Sequence, residues 1–244
     1  MVDFEFKSYS ILFFLQKRFF IFSLSLPPAV KPKPDKPYLS DMPLKNHHPS
    51  FQTYGLVICG GNSSRMGTDK SMLIYHEKPQ RYHVYEMLQP FCEQVFISCN
   101  AEQEITLEDG YHFLTDLTLY KNIGPMAALL TTFTKFPQKD VLFIGCDYPF
   151  LTATDLQHFL SSCKEENRAA GFYNEVQDIY EPLLAWYPAS SFNKLKKMHE
   201  EKQYSLQHFL KDNKALKFYP ENKNSIISVD TIEAFLKAVN LIKD

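Results

Sequence analysis

The sequence predicts an α/β fold, with a mostly parallel sheet and helices on both of its faces. From Tyr54 onward, apolar runs of strand length alternate with stretches of helical periodicity, which is typical of strands joined by crossover helices. The runs Leu56–Cys59 and Val141–Gly145 contain no charged residue. Uninterrupted apolar runs of this length are typical of strands buried on both faces. The two observations together favour a sheet that lies between two layers of helices.

The first half of this region contains four predicted strands and two predicted helices. Each helix has a proline that suits its first turn, and apolar spacing gives each helix one buried face. The predicted strands are Tyr54–Cys59, Gln94–Cys99, Tyr111–Leu114 and Val141–Gly145. The predicted helices run from Lys78-Pro79 to about Phe91 and from Gly124-Pro125 to about Phe136.

The second half is less regular, and its elements are predicted from shorter patterns. Thr152 or Thr154 is the expected N-cap of the first helix there, with Asp155 in its first turn, and Asp230 is the expected N-cap of the last. The predicted helices are Thr152–Cys163, Ser190–Lys202, Ser205–Lys211 and Thr231–Ile242. The predicted strands are Arg168–Tyr173, Pro182–Tyr187, Leu216–Phe218 and Ile226–Val229.

Residues 1–53 differ in composition and are predicted to form a poorly ordered N-terminal extension, followed by a domain at 54–244. Two short apolar stretches flank Gln16-Lys17-Arg18, and each is too short to span a membrane. Residues 27–49 hold seven of the chain's 15 prolines, which is typical of an extended linker. We therefore expect no membrane contact.

Composition excludes some classes of function. The formal net charge of −2 gives no sign of general nucleic-acid binding. The five cysteines are dispersed and form no C-x-x-C pair. This pattern argues against a zinc site and favours free thiols in a reducing compartment. We therefore expect a cytoplasmic protein that binds no nucleic acid.

The segment after the first predicted strand has the character of a phosphate-binding loop. Gly60 and Gly61 follow the strand directly, and glycines let the backbone approach a ligand closely. Arg65 and Lys70 add positive charge, which suits phosphate. The segment matches neither the Walker A motif nor the dinucleotide fingerprint. An ordinary strand–helix turn with surface charges is the alternative.

Two aspartates follow predicted strands and are candidates for the same site. Asp116 follows the third strand and Asp147 the fourth. In open parallel sheets, ligands bind beyond the carboxyl ends of the strands, so these side chains should meet the glycine segment. A carboxylate beside phosphates suits Mg²⁺, and Asp147 is the better candidate. The alternative is a turn aspartate before Pro149.

The stretch Gly60–Lys70 resembles the G-G-x-S-x-R-M-G-x-D-K signature of the molybdenum cofactor guanylyltransferases, which are Rossmann-like nucleotidyltransferases. Gly124–Leu129 and Cys146–Leu151 match later family stretches in the same order. The resemblance is dense to about Thr154 and thin beyond it. Because it begins after Met42, a further hypothesis is that translation starts at Met42.

The resemblance implies transfer of GMP from GTP to molybdenum-bound molybdopterin, with release of pyrophosphate. It implies Mg²⁺ as the cofactor and Arg65, Lys70 and Asp147 as the catalytic residues. Other cofactor-biosynthesis proteins or molybdoenzymes are implied as possible partners. The implied nucleotide contacts are Ile58, Cys59, Gly60, Gly61, Lys70, Ser98, Asp116 and Asp147. For Ser98, an ordinary strand serine is an equal alternative.

The chain departs from the family near its C-terminus. The family has an N-x-N-T-P-E-like stretch, and here the two asparagines are replaced by Ser228 and Asp230. Asp230 is a candidate second metal ligand, with helix capping as the alternative. The shorter Ser228 leaves the contact to the pterin-side substrate open. Tyr180–Leu184 matches the family's acceptor-side residues only loosely.

Two other functions stay open at this stage. The first is a related transferase with another base or acceptor, such as the molybdopterin cytidylyltransferase, whose members tend to carry Ala-Gly where this chain has Gly60-Gly61. The second is a nucleotide-binding protein whose catalytic site has decayed. The altered stretch around Asp230 favours the second alternative, whereas intact Lys70 and Asp147 argue against it.

Overall fold

The computed structural model describes residues 52–59, 69–163 and 168–243. The predicted extension, apart from Gln52 and Thr53, lies outside these ranges, as does the proposed start at Met42. In the described part of the chain, no helix is long and apolar enough to cross a membrane.

The described strands form a seven-stranded sheet in the order β3-β2-β1-β4-β6-β5-β7. Strands β1 to β4 are mutually parallel where they pair. Strand β6 runs antiparallel to both β4 and β5, and β7 is parallel to β5. The prediction of a mostly parallel sheet is therefore confirmed. The strands are β1 Thr53–Ile58, β2 Gln94–Cys99, β3 Phe113–Thr115, β4 Asp140–Gly145, β5 Ala170–Asn174, β6 Ile179–Tyr187 and β7 Leu216–Phe218.

Helices connect the strands and follow the last one. The α-helices are α1 Gln80–Leu88, α2 Ala101–Glu104, α3 Pro125–Lys135, α4 Ala153–Ser162, α5 Phe192–Glu200, α6 Leu206–Asp212 and α7 Ile232–Lys243. Short 3-10 helices cover Lys70–Met72, Gln89–Phe91, Thr118–Tyr120, Ala189–Ser191 and Lys223–Ile226.

The core lies on both faces of the sheet. Alternate residues of β1 point to opposite faces, as the pleat requires. Leu56 and Ile58 pack with α3, α5 and α6 on one face. Val57 packs with α1 and α4 on the other. Strands β1 to β4 are parallel, so their carboxyl ends share one edge of the sheet.

Thr152 is the N-cap of α4. Of the two predicted candidates, Thr152 and Thr154, the first is therefore confirmed. Its hydroxyl accepts from the N–H of Asp155 at 3.1 Å, and the Asp155 carboxylate accepts from the N–H of Thr152 at 3.0 Å. This reciprocal pair is a capping box.

Two predictions near the C-terminus are wrong. Residues 226–229 form no strand, because the N–H groups of Ile227 and Val229 donate to the carbonyl oxygens of Asn224 and Asp147 instead of to a neighbouring strand. Instead, Lys223–Ile226 is a 3-10 helix and Val229 makes a backbone bond beyond the end of β4. The N-cap of α7 is Thr231, whose hydroxyl accepts from the N–H of Ala234 at 3.1 Å. Asp230 lies one residue before the cap and faces the candidate site.

Candidate active site

The candidate site lies where β1 and β4 end side by side. The N–H of Cys146, just past β4, donates to the carbonyl oxygen of Ile58 at 3.0 Å. The thiols of Cys59 and Cys146 are 3.4 Å apart and both are buried. Asp147 follows at once, so its carboxylate emerges at the edge of the sheet beside the end of β1.

Asp147 has one paired and one unpaired carboxylate oxygen within the described part of the chain. Oδ2 accepts from the hydroxyl of Ser228 at 3.2 Å, whereas Oδ1 is buried and has no hydrogen-bond partner. Burial raises the pKa of the Asp147 carboxyl, and the Asp230 carboxylate raises it further. A buried, unpaired carboxylate oxygen is costly, and a bound cation would offset that cost.

The second acidic group and a cation come from distant parts of the chain. The hydroxyl of Ser228 also lies 3.1 Å from Asp230 Oδ2, so it stands between the two carboxylates. Lys70 Nζ donates to Asp230 Oδ1 at 2.7 Å. The structure therefore brings together Lys70, Asp147 and Asp230, with Ser228 between the two carboxylates.

A small apolar cluster fixes the segment that carries Asp230. The N–H of Val229 donates to the carbonyl oxygen of Asp147 at 2.8 Å. The Val229 side chain is buried with Tyr75 and with residues of α7. The Tyr75 ring meets Phe235 edge-on at 5.1 Å. Burial raises the pKa of the Tyr75 hydroxyl, and the Asp147 carboxylate adds to this. Tyr75 therefore stays neutral and positions the segment through packing.

Lys70 is fixed by a second set of bonds on its other side. The Asp69 carboxylate accepts from the N–H of Ser71 at 2.9 Å and so caps the 3-10 helix that contains Lys70. The same carboxylate accepts from Gln103 Nε2 at 3.0 Å. Sequence reasoning missed Gln103. Asn100 with glutamine three residues later is a capping-box signal that could have located α2.

The predicted nucleoside residues lie farther along the same edge. Asp116 follows β3, which is three strand positions from β4, about 14 Å at the usual strand spacing. Its Oδ1 is buried and unpaired among the described residues, and burial raises its pKa. Ser98 is buried opposite Ile58 in the β1–β2 pair. The separation of Asp116 from Asp147 suits an extended ligand better than a single ion.

Ile58 and Cys59 lie at the end of β1, as predicted, and both are buried. Three predicted site residues lie outside the described residues: Gly60, Gly61 and Arg65. Their predicted roles stay predictions.

The acidic pair fits a hard divalent cation. Asp147 and Asp230 supply oxygen atoms, and one of those atoms is buried without a partner. Within the described ranges, no group of three or more His, Cys, Asp or Glu side chains is arranged to hold a metal. Mg²⁺ commonly takes one or two carboxylates and completes its shell with phosphate oxygens and water. The pair therefore suits a Mg²⁺–phosphate complex better than a closed metal site.

Comparison with known families and structures is consistent with this geometry. Residues 55–216 match the family described as "MobA-like NTP transferase domain". A crystal structure of molybdopterin-guanine dinucleotide biosynthesis protein A from Archaeoglobus fulgidus superposes with a TM-score of 0.65 at 20% identity. The superposed region covers 78% of this chain and 98% of the Archaeoglobus chain. At this identity the likeness establishes the fold.

Curated relatives are similar over part of their length. A molybdenum cofactor biosynthesis bifunctional protein from Synechocystis is 32% identical over 135 residues, which is 55% of this chain and 38% of that protein. A probable molybdenum cofactor guanylyltransferase from Flavobacterium johnsoniae is 29% identical over 132 residues, 54% of this chain and 66% of that protein. The match thus spans between 38% and 66% of these two relatives.

Proposed function

Because the chain belongs to the family of MobA-like NTP transferase domains, we propose that it transfers GMP from GTP to molybdenum-bound molybdopterin and releases pyrophosphate. The proposal draws support from relatives named as molybdenum cofactor guanylyltransferases. It also rests on the glycine-rich stretch that separates Cys59 from Asp69 in the sequence.

The observation that carries the proposal is the cluster of Asp147, Ser228, Asp230 and Lys70. The carboxylates of Asp147 and Asp230 each lie 3.1–3.2 Å from the Ser228 hydroxyl, and the Lys70 ammonium bonds to Asp230. The cluster therefore places negative and positive charges close together. Nucleotidyl transfer needs this combination: carboxylates for a metal that binds phosphates, and a cation for the charge on departing pyrophosphate.

Each residue has a defined role in this scheme. Asp147 and Asp230 would hold Mg²⁺, which would neutralise charge on the triphosphate. Lys70 stabilises the negative charge that develops on pyrophosphate, and Arg65 contributes a planar fork for phosphate oxygens. The acceptor phosphate is itself an anionic nucleophile, so catalysis consists of in-line positioning and charge neutralisation. No covalent enzyme intermediate is expected. Asp116 contacts the nucleoside at the far end of the edge.

Calorimetric titration of the full chain with GTP, CTP and ATP in the presence of Mg²⁺ tests the nucleotide. We expect GTP to bind most tightly and Asp147→Ala to abolish the Mg²⁺-dependent part of the affinity. Asp109→Ala is the matched control, because Asp109 is exposed and precedes the amino end of β3, at the opposite edge of the sheet. A preference for CTP would place the protein with the cytidylyltransferases.

A turnover assay with molybdenum-bound molybdopterin and GTP tests the reaction. Pyrophosphate release should require the acceptor. Asp147→Ala should abolish turnover, and Lys70→Ala should reduce it by roughly two to three orders of magnitude, the cost of losing one preorganised charge. Binding of no nucleotide by the folded wild type would favour the catalytically decayed alternative. Near-normal turnover by Asp147→Ala would refute its role as a metal ligand.

A further inference from the structure

The amide of Gln103 joins three separate segments at the carboxyl edge of the sheet. Its Nε2 lies 3.3 Å from the carbonyl oxygen of Cys59 and 3.0 Å from Asp69 Oδ2, and donates to both. Its Oε1 accepts from the N–H of Asn100 at 3.1 Å. The residue is only 9% exposed. These bonds are therefore made away from bulk water, where the loss of a partner is costly.

Helix capping explains only part of this arrangement. Gln103 belongs to the capping box of α2, in which its Oε1 accepts from Asn100 and its own N–H donates to Asn100 Oδ1 at 2.9 Å. A capping box uses one polar atom of the third helical side chain. The Nε2 group is not needed for the cap. It reaches out of the helix to Cys59 at the end of β1 and to Asp69.

The bond to Asp69 bears directly on Lys70. Asp69 uses one oxygen to cap the Lys70–Met72 turn and the other to accept from Gln103. Lys70 is the next residue, and its Nζ lies at the acidic pair. The orientation of the Lys70 side chain therefore depends on the Asp69–Met72 turn, and Gln103 holds the first residue of that turn, Asp69.

We propose that Gln103 is a positioning residue for nucleotidyl transfer, which fixes the Asp69–Met72 turn against the end of β1 so that Lys70 meets the phosphates of the nucleotide. The inference rests on the proposed function, since it assigns Lys70 to those phosphates. Gln103 itself touches neither the acidic pair nor Lys70 in any described contact, so it acts through Asp69. A hydrogen bond to a charged group is worth more than a neutral one, and its loss should lower turnover roughly ten- to a hundredfold.

Two substitutions of nearly equal size separate the donor role from simple space filling. Gln103→Met keeps the volume and removes both polar atoms. Gln103→Glu keeps the shape and the acceptor for Asn100 but places a carboxylate against Asp69. We expect both to lower kcat and to weaken Mg²⁺-GTP binding, with thermal unfolding and circular dichroism confirming a folded protein. Glu102→Gln is the control, because Glu102 is exposed on the same short helix.

The pH profile of kcat gives a readout that loss of packing would not change. A protonated glutamic acid has an O–H donor in place of the amide N–H. Gln103→Glu should therefore regain activity as the pH falls through the pKa of the new carboxyl, whereas Gln103→Met should not. The other ionisable side chains around α2 remain in both variants, so the Met variant accounts for their titration. They are those of Asp69, which contacts residue 103, of Glu102 and Glu104 in α2, and of Cys59, Arg81, Cys99 and Asp116 near the end of β2.

A double substitution completes the test and serves if a single variant fails to fold. In Asp69→Asn combined with Gln103→Glu, the new Asn amide donates to the new carboxylate, so the bond is restored with its direction reversed. We expect the double variant to regain at least about tenfold in kcat over the worse single variant, as coupled neighbours do.

The possible results distinguish failure of the positioning role of Gln103 from failure of the proposed nucleotidyl transfer. If the wild type binds GTP and turns over, and the folded Gln103→Met variant has the same GTP affinity and kcat, only the role of Gln103 is overturned. Identical pH profiles of the Glu and Met variants, or a folded double variant without recovery, would do the same. A wild type without GTP binding or turnover would overturn both the proposed function and the inference.

Discussion

Asp147 owes its position to the glycine two residues before it. A Cβ at residue 145 would lie 2.5 Å from Asp147 Oδ1, 3.2 Å from the Cβ of Leu183 and 3.3 Å from the ring of Tyr148. Side chains essentially never approach so closely, so the carboxylate would have to move. The space that the carboxylate occupies, rather than the backbone angles of residue 145, therefore favours glycine at this position.

This geometry predicts the effect of Gly145→Ala. The added methyl group should displace Asp147 Oδ1, the unpaired atom, and weaken the binding of Mn²⁺, measured by electron paramagnetic resonance, by about tenfold or more. Overpacking should also cost about 1–3 kcal/mol of the free energy of unfolding.

Gly171→Ala is the matched control for that substitution. A Cβ at Gly171 would lie 3.3–3.8 Å from side-chain atoms of β6 and α6, so it should affect stability without affecting metal binding. Equal Mn²⁺ affinity in the wild type and Gly145→Ala would show that the carboxylate does not bind the metal where it stands.

The residues of the site differ in how far the sequence could predict them. Asp147 follows a strand whose apolar run is visible in the sequence, and the carboxyl-end rule then places its side chain. Lys70 belongs to a motif with fixed spacing. Gln103 has no such signal, because its role depends on Cys59 and Asp69, which only the folded chain brings to α2.

At the scale of elements, the C-terminal segment and α7 complete the site. Val229 is bonded to the backbone of Asp147, and Tyr75 packs between this segment and α7. The bounds of β2 and β7 agree with prediction: β2 contains the apolar run Val95–Ile97, and β7 alternates apolar and polar residues. Residues 226–229 have a similar apolar character, but the N–H groups of Ile227 and Val229 bond to Asn224 and Asp147 instead of to a strand. These contacts, which composition does not reveal, decided that outcome.

The N-cap of α7 provides a test at this scale. Thr231→Ala should remove the hydroxyl that accepts from Ala234 and lower the stability of the first turn of α7 by about 1 kcal/mol. Hydrogen exchange at residues 233–236 should accelerate accordingly. Thr231→Ser, which keeps the hydroxyl, should exchange at nearly the wild-type rate.

Asp230→Asn distinguishes the cap from the acidic pair. The substitution should leave exchange in α7 nearly unchanged but weaken Mn²⁺ binding, because it removes one of the two carboxylates. Faster exchange in Asp230→Asn than in Thr231→Ala would contradict the assignment of the cap to Thr231.

At the scale of the whole molecule, a pair of stacked histidines makes stability depend on pH. The rings of His76 and His83 lie 3.9 Å apart and nearly parallel. Burial, and then the neighbouring His76, lowers the pKa of His83 from 6.5 to about 4. Between these values the unfolded chain binds a proton at His83 and the folded chain does not. The contribution of His83 to stability is therefore present above pH 6.5 and is lost as the pH falls toward 4.

Replacing His83 with phenylalanine should flatten this dependence. The variant keeps an aromatic ring against His76 but cannot take up a proton. The melting temperature of the wild type should therefore fall more steeply than that of His83→Phe between pH 6.5 and 4. The exposed His158 supplies the control, since His158→Gln should follow the wild-type curve. Parallel curves for the wild type and His83→Phe would refute the role of His83.

The order in which the chain is synthesised separates folding from function. All seven strands are complete by Phe218, whereas Ser228 and Asp230 follow later, and Ser228 meets a carboxylate 81 positions earlier in the sequence. Domains can fold as they emerge from the ribosome, so a nascent chain can form the sheet before it carries the second acidic group. A chain shortened after Phe218 would therefore keep all seven described strands but lack Ser228, Asp230 and α7, so the sheet and the acidic pair depend on different parts of the chain.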